Sequence, residues 1–150
     1  VTKPITRRYL ESYKHWAKRA EETYTEWEGL MRKKDSLSVN YDDMPKASNK
    51  QGFDQVVELI DTVAERYWNE YVTALRIQDD IEKFIGTLEN PKHMRIFEEK
   101  YIRGDQTHVQ YSHVVGDEIG YHRVEIENII TRVINEHNKK LATHDYTIMC

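Results

Sequence analysis

Between Tyr121 and Arg132 the chain sets out residues of the types that read base edges in duplex DNA. On a helix starting near His122, the exposed N-terminal side carries His122, Arg123, Glu127, Asn128 and Thr131, with Arg132 beyond. Arginine and asparagine can make paired hydrogen bonds to guanine and adenine, and glutamate can accept one from cytosine. Arg103, Gln106 and Thr107 upstream, with Lys139 and Lys140 downstream, are of the kind that hold phosphates. Other chemistry finds little footing. His108, His113 and His122 have no spacing that fixes them on one face as metal ligands, and Asp42-Asp43 and Asp79-Asp80 lack the glycine and spacing of a calcium loop. No Ser/His/Asp set, phosphate loop or paired carboxylates in a cleft can be picked out. The expectation is a non-enzyme without metal or cofactor.

The element that would present those side chains is a helix-turn-helix over residues 112–131. Its first helix needs a small residue where the second crosses it, which Gly116 supplies, and inward apolar residues, which Val115 and Ile119 supply. The turn needs a residue at ease in the left-handed region, and Gly120 stands there. Tyr121 follows as an apolar anchor, and Ile126 with Ile129 or Ile130 gives the second helix its inner face. Two acids, Glu125 and Glu127, lie beside the arginines, so the same surface suits either DNA reading or protein docking.

The remaining chain must carry and support this motif. Its 150 residues include only six Gly and three Pro, too few turn-formers for a many-stranded β fold. Apolar residues at Ile5, Tyr9, Tyr13, Trp16, Ala20, Tyr24, Trp27 and Leu30/Met31 step by three and four, which predicts a helix from Pro4 to Lys34 with Thr2 as its cap. The basic residues flanking these aromatics suggest stacking on single-stranded nucleic acid, but the rings are at core spacing and read as packing. Residues 35–52, rich in Ser, Asn and Asp with Pro45 and Gly52, read as a loop. A second long helix is expected over Phe53–Leu88, with a stripe too wide for one partner helix because Trp68, Val72 and Ile77 lie off its centre. Self-association or docking onto the C-terminal part would cover it. Asn90-Pro91 predicts a cap and first turn, a short helix over Lys92–Ile102 follows, and Gly104-Asp105 ends it. A further short helix is expected from Thr107 or Tyr111, and a last one over His122–Leu141.

The fold expected is therefore all-α: a long antiparallel helical hairpin over 1–89, a small helix-turn-helix bundle over 90–141, and a tail over 142–150. The net charge of −4 is uneven, with nine Lys/Arg against five Glu in residues 1–34 and six of the seven His beyond residue 90. One cysteine, Cys150, excludes an internal disulfide, and no apolar run suits a membrane span. A reducing cytoplasm is the expected compartment.

Several stretches resemble phage-encoded regulators of the ArpU/RinA type. They are Ser38-Val39-Asn40-Tyr41-Asp42-Asp43-Met44-Pro45-Lys46 followed by Asp54 and Glu58-Leu59-Ile60-Asp61; then Ile81-Glu82, Ile85, Leu88 and Pro91; then Tyr101-Ile102-Arg103-Gly104; and last Val115-Gly116, Ile119-Gly120-Tyr121. The C-terminal half of that family is similar to region 4 of bacterial sigma factors. The resemblance implies a phage protein that controls transcription through promoter DNA, with host RNA polymerase as a partner. Two other functions fit the same pattern of elements. One is an interaction module that binds a host or mobile-element regulator without reading DNA, and the other is the small subunit of a packaging terminase.

Overall fold

The computed structural model describes residues 3–42, 50–104 and 120–149, with side chains for 3–37, 52–104 and 120–143. Within these the chain is all-helical. The elements are α1 (Arg7–Glu11), α2 (Tyr13–Asp42), α3 (Lys50–Gly86), α4 (Pro91–Phe97), a π-helical turn (Glu98–Arg103) and α5 (Arg123–Met149). The long pair α2 and α3 packs as the expected antiparallel hairpin.

The helix boundaries differ from the sequence expectation for local reasons. Thr6, not Thr2, caps the first helix, its hydroxyl accepting from the Tyr9 N–H at 3.1 Å, so Pro4 lies ahead of the helix. The expected single rod is interrupted at Ser12. The Ser12 hydroxyl donates to the Tyr9 carbonyl at 2.5 Å, a local bond that competes with the helical ladder. Beyond Lys34, α2 continues to Asp42 through residues read as loop. Ser, Asn and Asp lower helix propensity by only about 0.7 kcal/mol each, and no Gly or Pro occurs between Lys34 and Pro45. Lys34 also ties α2 to α3 through Asp61 at 2.8 Å. Likewise α3 begins at Lys50 and ends at Gly86, and α5 runs on to Met149 through the expected tail.

Asn90 and Pro91 act as the sequence suggests: the Asn90 side chain accepts from the Lys92 N–H at 2.9 Å, and Pro91 opens α4. The helix predicted to reach Ile102, however, changes to a π-helical turn after Phe97. That wider turn holds Glu99 and Tyr101 inward, with Glu99 paired to Arg95 at 2.6 Å. Gly104 closes it because a Cβ there would stand 2.8 Å from the Glu99 carbonyl oxygen. Met94 and Ile102, expected inward, are half-buried, while Ile96 is fully enclosed.

By compactness the chain divides into two units. One comprises residues 1–15 and 77–150; the other comprises 16–76. The first has a core of large residues: Ile5, Leu10, Ile81, Phe84, Phe97, Tyr101, Ile126 and Ile130 are each almost wholly enclosed. Phe84 meets Phe97 edge-on at 5.8 Å and the His137 ring at 4.8 Å, so α3, α4 and α5 share one core. The second unit is a two-helix hairpin in fixed register. Tyr24 stands by Tyr71, Trp27 by Trp68 and Lys34 by Asp61, each step along α2 matched by an equal step back along α3.

Candidate nucleic-acid interface

Gly120 adopts φ +77°, in the left-handed region that glycine enters without a Cβ penalty. His122 caps α5: its carbonyl accepts from the Ile126 N–H at 3.0 Å. The Glu125 carboxylate reaches back to the His122 N–H at 3.4 Å, the reciprocal half of a capping box. Ile126, Ile129, Ile130, Val133 and Ile134 form the buried face. Tyr121, expected as an anchor, is half-buried with the Lys92 ammonium 5.3 Å from its ring centre. The first helix of the motif, with Val115, Gly116 and Ile119, lies outside the described residues, as do Gln106, Thr107, His108 and His113.

The opposite side of α5 is open. Val124, Asn128, Thr131, Arg132 and Asn135 are exposed at spacings of three and four, which makes them one stripe along the helix. His122 and Arg123 are exposed at its N-terminal end, and Arg103 is exposed at the end of the π-helical turn. Val124 is 70% exposed, a large apolar side chain in the middle of polar ones. Sequence reading left out Val124 and Asn135. Their signal was helical phase, since both fall opposite the Ile126–Ile130 face.

Glu127 and Thr131 are engaged within the protein. Arg7 donates to the Glu127 carboxylate at 2.7 Å, to the Glu127 backbone carbonyl at 3.1 Å and to the Thr131 hydroxyl at 2.6 Å. Lys100 reaches the second carboxylate oxygen at 3.5 Å. Burial lowers the Lys100 pKa, and the Glu127 charge works against that shift. The N-terminal segment is fastened alongside. Asn138 accepts from the Ile5 N–H and donates to the Ile5 carbonyl, both at 2.8 Å, and His137 meets the Lys3 carbonyl at 3.2 Å. Neither Arg7 nor Lys100 was legible as part of this site, because 120 residues separate Arg7 from Glu127 and 27 separate Lys100 from it.

No family model, curated protein or solved structure matches the chain.

Two acids that made the surface ambiguous have partners: Glu125 with the helix cap, Glu127 with two cations. What faces solvent along the stripe is two amides, an arginine and a valine, with the Thr131 hydroxyl held by Arg7; these are the donor, acceptor and methyl-contacting types of groove recognition. Among the described residues, no three His, Cys, Asp or Glu stand together as a metal site, and no helix is long and apolar enough to cross a membrane.

Proposed function

We propose that the chain is a transcription regulator that binds promoter DNA through α5, the second helix of a C-terminal helix-turn-helix. The exposed stripe Val124–Asn128–Thr131–Arg132–Asn135, on a helix opened by left-handed Gly120 and backed by buried isoleucines, is the observation that carries this reading. In a major groove, Arg123, Asn128 and Arg132 supply hydrogen bonds to base edges and Val124 contacts a thymine methyl. Arg103 would hold phosphate. Glu127, bound by Arg7 and Lys100, fixes the N-terminal segment and the π-helical turn against α5. The resemblance in residues 38–61 and 81–121 supports a phage setting in the bacterial cytoplasm and host RNA polymerase as a further partner, and the wide apolar stripe of α3 supports action as a homo-oligomer.

The test is a selected duplex titrated against the chain and an Arg123→Ala/Asn128→Ala variant by fluorescence anisotropy. Losing one good paired contact costs about 1–3 kcal/mol, so the double variant should bind at least tenfold more weakly with an unchanged helical spectrum. Equal affinity would reject these two residues as readers. A second reading, docking of α5 on a regulatory protein, draws on exposed Val124 and the acid Glu125 beside it.

A further inference from the structure

The two-helix unit buries little that is large. Ala20, Thr23, Ile60, Ala64 and Ala74 are its enclosed residues. Four of its big rings cluster instead at a partly exposed edge. Tyr24, Trp27, Trp68 and Tyr71 form a closed chain of four contacts, with ring centres 4.9 to 5.8 Å apart. Tyr24 is 41% exposed and Trp68 40%, and Leu75, seven residues beyond Trp68 on the same side of α3, is 42% exposed. Two helices alone have no third layer to cover such a ridge, which a four-helix bundle would supply.

We infer that this aromatic ridge is the contact surface for a second copy of the chain, joined by a two-fold axis that sets two α3 helices antiparallel about Trp68. The charges flanking the ridge decide for a second copy. Glu58 and Arg76 are both exposed, and neither makes an ion pair among the described residues. They lie eighteen residues apart in α3, which is five turns, so they share one side of the helix. Glu58 lies ten residues before Trp68 and Arg76 eight after it. A two-fold at Trp68 therefore brings each Glu58 within about 3 Å, along the helix axis, of the second copy's Arg76. The surface is complementary to itself, as an isologous interface must be. Two hairpins joined this way make a four-helix bundle with Trp68, Tyr71 and Leu75 inside.

This deepens the oligomeric part of the proposed function but needs no DNA. The experiment is sedimentation velocity on the full chain at micromolar concentration, without nucleic acid. The expected mass is twice the 18.0 kDa of one chain. Trp68→Gln/Leu75→Gln should return it to a single chain. Leu59→Gln is the control: Leu59 is 64% exposed but nine residues from Trp68, on the opposite side of α3, and the dimer should persist. Glu58→Arg cannot disturb a core and should weaken association about tenfold by creating two like-charged pairs; adding Arg76→Glu should restore it. A wild-type mass of one chain, dissociation by Leu59→Gln, or failure of the charge exchange to restore the dimer would each overturn the pairing. A dimer that binds no DNA would uphold it and remove the DNA reading instead.

Discussion

The two units are built from the same kinds of residue with opposite results. In the unit of residues 1–15 and 77–150, Phe84, Phe97 and Tyr101 are enclosed because α3, α4, the π-helical turn and α5 approach them from several sides. In the unit of residues 16–76, Tyr24 and Trp68 stay open because only α2 and α3 are present, and alanines occupy the seam. Hydrophobic content does not separate the two. The number of elements meeting at a point does, and it decides whether an aromatic ring becomes core or surface.

The largest effect expected is at Phe97. Phe97→Ala removes an enclosed ring and should cost about 3–5 kcal/mol in urea unfolding, whereas Tyr24→Ala should cost about 1 kcal/mol or less. Equal losses would break the contrast between the units. A smaller effect, of opposite sign, is expected at Gly29. It sits within α2, and a Cβ there would meet nothing within 4 Å. Gly29→Ala should stabilise the hairpin by about 1 kcal/mol, read as a rise in the urea midpoint. Destabilisation would mean that something approaches Gly29 closely, and would redraw the open side of this unit.

The smallest effect concerns acid. Burial, and then the nearby Arg132 charge, lower the His93 pKa, with Glu136 acting the other way. The folded state thus disfavours the proton relative to the unfolded chain. Stability from His93 is present above the ordinary histidine value and is lost as pH falls through the lowered one. His93→Gln should flatten the acid side of a melting-temperature profile. An unchanged slope would place the acid sensitivity of this unit elsewhere.

Much of this was legible in sequence where a rule of period or cap applied. Asn90-Pro91, Gly120 and the Ile126–Ile130 face follow from local chemistry and appear where expected. The break at Ser12 and the π-helical turn depend on single hydrogen bonds and on packing that no periodicity encodes. The loop expected over 35–52 gives way to helix at both ends, over 35–42 and 50–52, while its middle lies outside the described residues. Ser and Asn weaken a helix without forbidding it, and contacts such as Lys34–Asp61 carry α2 onward. For the candidate interface, α5 and its exposed side chains were readable, but the clamp on Glu127 was not. Arg7 comes from the far end of the chain, and only the fold brings it to α5. That clamp changes the meaning of the acid from a repellent of phosphate to a structural tie.

The most direct test of the functional account is binding of duplex DNA to the full chain across a salt series. With Arg103, Arg123 and Arg132 among the cations facing the duplex, affinity should fall steeply, the logarithm of the binding constant dropping by about 0.9 for each phosphate neutralised per tenfold rise in salt. Binding that is absent at low salt, or indifferent to it, would contradict a DNA-reading α5 and leave the exposed stripe as a protein-docking face.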